Sequence, residues 1–134
     1  MNKYNPCPCN SSRLYHKCCA PFHEGESPDN ALKLMRSRYC AFALGLTDYL
    51  VRTTHPDNPE RKEDEEVWRK DLAKITEQAR FDGLKVIEFL DGEDTASVTF
   101  TAFISRGDED LSFTERSHFV KESETWLYKE GQIL

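Results

Sequence analysis

The sequence predicts an α+β fold in which three helices pack on the concave face of a four-stranded antiparallel sheet. Apolar residues recur at steps of three and four in the first half of the chain and at alternate positions from residue 84 onward. These are the periods of helices and of strands. A cluster of four cysteines before the first helix predicts a small additional metal-binding segment.

The first predicted helix begins with Ser27 as its N-cap and Pro28 in its first turn, and it stops at Gly45. Its apolar stripe consists of Leu32, Met35, Tyr39, Phe42 and Leu46. A short second helix starts at Thr47-Asp48 and ends before His55-Pro56.

A third helix carries Val67, Trp68, Leu72, Ile75 and Ala79, and Asp82-Gly83 is predicted to close it. Four strands follow, at about 84–90, 96–104, 111–120 and 126–128. Asp91-Gly92 is a typical hairpin sequence between the first two strands. The third strand has Phe113, Ser117 and Phe119 on one face, and Arg116 and His118 on the other.

Four cysteines, Cys7, Cys9, Cys18 and Cys19, have the spacing of a metal site. Thiolate sulfur is a soft ligand, and four thiolates form the closed tetrahedral site of structural zinc. The turn-forming residues 10–12 allow the chain to loop back so that the second cysteine pair faces the first. With four sulfur ligands no position is left for water or substrate, so the predicted zinc ion is structural.

Disulfide bonds are the alternative interpretation of these cysteines. Residues 1–6 contain no apolar run, so we expect no secretion signal and a cytoplasmic location. Structural disulfides are rare in the reducing cytosol, which favours metal ligation. A redox enzyme would show Cys-x-x-Cys beside a βαβ unit, and the sequence has neither.

The net charge of −6 is unevenly distributed along the 134 residues. Residues 1–23 carry three basic residues, Lys3, Arg13 and Lys17, and no acid, so residues 24–134 carry −9. An acidic main domain repels nucleic-acid phosphates, which disfavours nucleic acid as a partner. No apolar run approaches the length of about 20 residues that spans a bilayer. We therefore expect a zinc segment at 1–23 and one compact domain at 24–134.

The cysteine segment resembles the SEC-C motif found at the carboxyl terminus of the SecA preprotein translocase. Cys7, Cys9, Cys18 and Cys19 match its four ligand positions, and the usual Gly-Ser-Gly of that motif is here Asn10-Ser11-Ser12. In SecA the motif is associated with binding the chaperone SecB. The resemblance therefore implies a protein partner at most.

The order of helices and strands resembles the cone-shaped, cystatin-like fold of the nuclear-transport-factor-two-like proteins. More narrowly, residues 31–43, 48–50, 54–56 and 115–119, with Trp126 and Tyr128, look like the YchJ family of uncharacterised bacterial proteins. Together with the cysteine segment, this resemblance spans nearly the whole chain. The family supplies no established reaction.

Folds of this cone shape often enclose a pocket. Arg36 and Arg38 are both candidates, but they are two residues apart on one helix and point to different faces. The candidate pocket residues are Arg36, Tyr39, Tyr49, His55, Trp68, Arg116 and His118. Each also has a structural role open to it, such as core packing for Tyr39 and Trp68 or helix capping for His55. Cys40 is expected to be a small buried apolar residue.

Two functions from different classes remain open at the level of sequence. The first, which the specific cysteine signal favours, is a zinc-stabilised protein-interaction module that uses the α+β domain as its platform. The second is a small-molecule binder or enzyme that uses the pocket. No residue set identifies a reaction, so a catalytic role is disfavoured, and the small-molecule ligand is not specified.

Overall fold

The computed structural model describes residues 2–134 and confirms the α+β fold class. The helices are α1 (Ala20–His23), α2 (Ala31–Leu44), α3 (Thr47–Arg52) and α4 (Glu65–Gln78), and Tyr15–Lys17 forms one turn of 3-10 helix. The strands are β1 (Arg80–Leu90), β2 (Thr95–Arg106), β3 (Glu109–Asp110), β4 (Phe113–Glu122) and β5 (Thr125–Ile133). Within residues 2–134, no helix is both long and apolar enough to cross a membrane.

The strands form one antiparallel sheet in the order β1-β2-β4-β5, and the short β3 pairs with the end of β2. Helices α2 and α4 cover one face of this sheet. Buried residues of α2, such as Leu34 and Met35, share a core with Val98, Phe100 and Phe119 of the sheet. The apolar face of the sheet is thereby removed from water, which is the main stabilising contribution in such a two-layer fold.

Helix α2 begins three residues later than the sequence predicts. Its N-cap is Asn30, whose backbone is extended and whose side-chain oxygen accepts a hydrogen bond from Lys33 N at 2.8 Å. Ser27 is exposed and lies outside the helix. The predicted end of this helix is confirmed, because Gly45 adopts the left-handed conformation with a φ of 74°.

The predicted end of the third helix is wrong. Helix α4 ends at Gln78, and β1 begins at Arg80, so Gly83 lies inside a strand. Strand β1 begins this early because exposed and partly buried side chains already alternate from residue 80. Arg80 and Asp82 are exposed and form an ion pair, while Phe81 between them packs against the core. Strand β5 likewise extends through Gly131 to Ile133, beyond the predicted end at residue 128.

Candidate functional site

The cysteine segment, residues 2–23, brings all four predicted ligands together. The four sulfur atoms lie within 4.8 Å of one another. The Sγ atoms of Cys9 and Cys18 are 3.6 Å apart, and those of Cys18 and Cys19 are 3.9 Å apart. A zinc–sulfur bond of about 2.3 Å in tetrahedral geometry places two sulfurs about 3.8 Å apart. The donor set therefore fits a four-thiolate metal ion.

The local chain path that presents these sulfurs is a tight loop. Pro6 and Leu14 form an antiparallel bridge, and Cys7 N donates to Arg13 O at 2.9 Å. Between these ends, Asn10 and Ser12 adopt positive φ angles of 61° and 71°. These are the two positions at which the SEC-C motif has glycine, which enters this conformation without a steric penalty.

Helix α2 packs against the cysteine cluster. Arg36 Nη1 donates to Cys9 O at 2.7 Å and lies 3.9 Å from Cys9 Sγ. The fifth cysteine, Cys40, is fully buried as expected, and its Sγ lies 3.9 Å from that of Cys7. Four thiolates and one divalent ion together carry a net charge of −2. The positively charged Arg36 guanidinium is well placed to offset it.

A second set of contacts joins the cysteine segment to α2 and α3. His23 accepts or donates at both ring nitrogens, with Tyr15 Oη 2.7 Å from Nδ1 and Ser37 O 2.9 Å from Nε2. Since a carbonyl can only accept, Nε2 carries the proton and Nδ1 accepts from Tyr15 when the ring is neutral. Burial lowers the pKa of His23, which favours this neutral form. The His23 ring also packs edge-on against Tyr49, with centroids 4.8 Å apart.

The main cavity lies between α2, α4 and the covered face of the sheet, and its volume is about 280 Å³. Most of its wall is apolar, formed by residues such as Phe42, Leu72, Phe81, Phe100 and Phe113. Ile75 lines the cavity while remaining 50% exposed, so it lies at the rim. This lining is typical of small-molecule sites, and the volume is close to their lower limit of about 300 Å³.

One end of the main cavity is polar. Arg38 Nη1 donates to Leu50 O at 3.0 Å and to Thr53 Oγ1 at 2.7 Å, and its guanidinium lies 4.6 Å from the centre of the Tyr128 ring. Burial lowers the pKa of Arg38 to about 10, so the group stays charged at neutral pH. The Tyr128 hydroxyl in turn donates to Glu115 Oε2 at 3.2 Å.

Glu115 Oε2 also accepts a hydrogen bond from Ser117. Space for this carboxylate depends on Gly131 of β5, where an added Cβ would come within 2.7 Å of the Tyr128 hydroxyl and closer still to Glu115. A side chain at position 131 would therefore displace the polar end of the cavity. Burial, with the nearby Glu115 charge, raises the pKa of Tyr128, so the phenol stays protonated as a donor.

Of the candidate pocket residues, the structure places Tyr39 and Trp68 on the cavity wall. Arg38 lines the cavity, whereas Arg36 contacts Cys9 on another side of α2. Tyr49 lies against His23 and donates to or accepts from Ser37 Oγ at 2.6 Å. None of these contacts brings Arg36 or Tyr49 to the cavity.

The remaining three candidates also lie away from the cavity wall. His55 is buried in the connection after α3, where Nδ1 accepts from Asp57 N at 2.9 Å and Nε2 pairs with Glu122. Arg116 and His118 lie on the opposite face of the sheet, because Glu115, Ser117 and Phe119 alternate with them and line or cover the cavity.

Sequence reasoning missed Glu115 and gave no role to Tyr128 beyond the family resemblance. A signal for Glu115 existed, since it shares the period-two face of Phe113, Ser117 and Phe119. An acid at an inward position of an otherwise apolar strand face is unusual and indicates a site. Tyr128 carries no such signal, because a buried tyrosine is common in any core.

Fold and site together define a class: a nuclear-transport-factor-two-like domain preceded by a cysteine motif that packs on its first long helix. The sequence profile of the YchJ middle NTF2-like domain matches residues 30–131, and that of the SEC-C motif matches residues 5–21. The chain belongs to the YchJ family, which confirms the resemblance found from its residues.

Similar proteins cover almost the full chain. A UPF0225 protein of Sodalis glossinidius is 39% identical over 133 residues, which are 96% of this chain and 83% of that protein. A UPF0225 protein of Streptomyces coelicolor is 38% identical over 133 residues, 96% of each chain. The solution structure of a SEC-C motif-containing protein from Rhodopseudomonas palustris has a TM-score of 0.83 at 32% identity and covers 97% of this chain and 99% of that one.

Proposed function

We propose that the protein is a ligand-binding domain that takes a small molecule into its main cavity, and that a structural zinc ion holds its cysteine segment. The single observation that carries this proposal is the cavity itself, about 280 Å³ in volume with an apolar wall. Its polar end carries a cation, Arg38, and an acid, Glu115. A few convergent polar groups at the end of an apolar pocket are the usual composition of a small-molecule site.

The zinc part of the proposal is supported by the donor set. Four sulfurs within 4.8 Å of one another suit a soft or borderline ion in a closed tetrahedral site. Such a site leaves no open position for chemistry. The role that follows for the metal is to fix residues 2–23 against α2, where the contacts of Arg36 and His23 are made.

Ligand binding is tested by screening a fragment library against the zinc-loaded protein by NMR shift mapping. We expect shifts at cavity residues such as Phe100 and Glu115. The variant Ala102→Leu fills the cavity from a wall position that is 1% exposed, and we expect it to abolish binding. Phe103→Leu, at an exposed position on the opposite sheet face, is the matched control and should bind normally.

Metal content is tested by elemental analysis of purified protein. We expect about one equivalent of zinc in the wild type and its loss in the Cys18→Ser, Cys19→Ser double variant. Full zinc occupancy in the double variant would show that the ligand assignment is wrong.

A second candidate function is a protein-interaction module, favoured by the outer surface of the cysteine segment. Tyr4 is 71% exposed and Leu14 is 40% exposed, and the neighbouring Arg13 and Lys17 are exposed bases. An exposed mixture of aromatic, apolar and basic side chains suits an acidic protein partner. In the fragment screen, shifts confined to residues 2–23 would favour this candidate over cavity binding.

A further inference from the structure

The main cavity is lined by one cation, Arg38, and by two acids, the partly buried Glu115 and the exposed Glu60. Arg38 and Glu115 both line it, and among residues 2–134 no ion pair joins them. From this arrangement we infer that the ligand is a small zwitterion with an apolar body, of the kind represented by an α-amino acid with a large apolar side chain. This inference rests on the proposed ligand-binding function and specifies its ligand class.

Arg38 presents one edge of its guanidinium for a carboxylate. Its Nη1 is fully used, because it donates to Leu50 O and to the hydroxyls of Thr53 and Thr54 at 2.7–3.1 Å. In the described part of the chain, Nε and Nη2 make no hydrogen bond. The edge formed by these two nitrogens carries parallel N–H groups that match a carboxylate in a bidentate pair.

Glu115 presents one free oxygen for an ammonium group. Its Oε2 accepts from Ser117 Oγ and from the Tyr128 hydroxyl, while Oε1 has no hydrogen-bond partner within residues 2–134. The two hydroxyl donors on Oε2 fix the orientation of the carboxylate. The acid is thus held in place on one side and open on the other.

Tyr128 lies between the two charged side chains at one end of the cavity. The Arg38 guanidinium lies 4.6 Å from its ring centre, and its hydroxyl is 3.2 Å from Glu115 Oε2. Both charges therefore lie within a few ångströms of one ring. An α-amino acid carries its carboxylate and ammonium on a single carbon, so one small head group can face both.

The charges decide between classes of ligand. A ligand with a carboxylate alone would pair with Arg38 but would bring a second negative charge near Glu115. A ligand with an ammonium group alone would pair with Glu115 but would bring a second positive charge near Arg38. Unpaired charges in an apolar setting are costly, and a zwitterion pairs both without adding net charge. An engineered cavity of about 150 Å³ holds benzene, so the volume here of about 280 Å³ suits a head group plus a side chain of phenylalanine size.

The test is titration calorimetry on the zinc-loaded full chain with matched probes. L-phenylalanine, L-leucine and L-tryptophan carry both charges and an apolar body. Hydrocinnamate carries the carboxylate alone, phenethylamine carries the ammonium alone, and glycine lacks the body. We expect at least one of the three apolar amino acids to bind about ten- to a hundredfold more tightly than either single-charge probe, because one charge-assisted contact is lost in each.

Two variants test which charged group of the ligand each of the two residues binds. Glu115→Gln keeps an acceptor for Ser117 and Tyr128, and it should reduce amino-acid affinity to about that of hydrocinnamate while leaving hydrocinnamate binding no weaker. Arg38→Lys should weaken amino acids and hydrocinnamate but not phenethylamine. Glu88→Gln, at an exposed acid of β1, is the control and should change nothing. If Arg38→Lys fails to fold, Glu115→Gln alone decides the result.

Three outcomes would contradict the inference in distinguishable ways. If hydrocinnamate binds as tightly as every amino acid and Glu115→Gln has no effect, the ligand class is a monoanion and not a zwitterion. Fragments that shift cavity residues while no amino acid binds would overturn the ligand class and leave the proposed function standing. If neither the probes nor the fragment library reach the cavity residues, both proposals are wrong.

Discussion

Two residues of the cysteine segment hold a backbone conformation that glycine adopts more easily. Asn10 and Ser12 have φ angles of 61° and 71°, and for a residue with a Cβ this region costs about 1–2 kcal/mol. Asparagine tolerates it better than serine does, because its short polar side chain bonds locally. Ser12 is therefore the more strained of the two positions.

Replacing Ser12 by glycine should stabilise the protein. Relief of the strain exceeds the extra chain entropy of glycine, so we expect Ser12→Gly to raise the free energy of unfolding by about 0.5–1 kcal/mol. Urea denaturation of the zinc-loaded protein measures this. Ser11→Gly is the matched control and should lower stability, because Ser11 has no positive φ and its Oγ lies 3.1 Å from Cys18 Sγ. Equal losses in both variants would contradict the strain argument.

Residue types alone predicted that four cysteines would form one cluster, and the structure brings their sulfurs together, but residue types did not predict the polar end of the cavity. Cysteine spacing is informative because few other functions use four close thiols. Arginine is different, since Arg36 and Arg38 are equally plausible in sequence and only the rotation of α2 decides that Arg38 faces the cavity. That rotation follows from the packing of the whole helix and not from either residue.

The start of helix α2 is decided by which side chain reaches a free backbone N–H. Asn30 does so, with its Oδ1 2.8 Å from Lys33 N. We expect Asn30→Ala to lower the free energy of unfolding by about 1 kcal/mol, because the cap would be lost. Ser27→Ala, at the position that sequence reasoning assigned to the cap, should change it by less than about 0.5 kcal/mol. Urea denaturation of the two variants compares them, and a larger loss in Ser27→Ala would overturn the assignment of Asn30.

The longer helices and strands were predictable in kind and order, while their ends and the short α1 and β3 were not. The change from a helical to a strand period was visible in the sequence. Asp82-Gly83 suggested that the third helix ends there, but these residues already belong to β1. Gly83 instead lies inside β1, where its carbonyl accepts from the Tyr39 hydroxyl at 2.8 Å and an added Cβ would lie 3.1 Å from Asn10 Nδ2. This contact with the cysteine segment is distant in sequence, so no local pattern reveals it.

At the scale of the whole molecule, the cysteine segment is part of the core. Cys7, Cys9 and Cys19 are 4%, 0% and 1% exposed and belong to the same buried cluster as Leu34 and Phe119. The sequence suggested a basic arm beside an acidic domain, because composition and charge change near residue 23. The distribution of charged residues describes only the solvent-exposed surface of the cysteine segment. The inner surface, where Arg36 and His23 make their contacts, joins the segment to α2.

Removal of the proposed zinc ion should therefore unfold more than residues 2–23. Four thiols packed in a core without their ion lose the bonds that hold them together, so we expect a chelator, or the variant Cys9→Ser, to lower the free energy of unfolding of the whole protein by about 3 kcal/mol or more. Near-UV circular dichroism during heating reports this from Trp68 and Trp126, which are buried at 6% and 3% exposure outside the cysteine segment. Lys17→Ala, at an exposed position of that segment, is the control and should keep both the zinc and the wild-type melting temperature. If the tryptophan signals melt at the same temperature after zinc has been lost, the cysteine segment folds independently of the α+β domain, and its burial against α2 contributes little to stability.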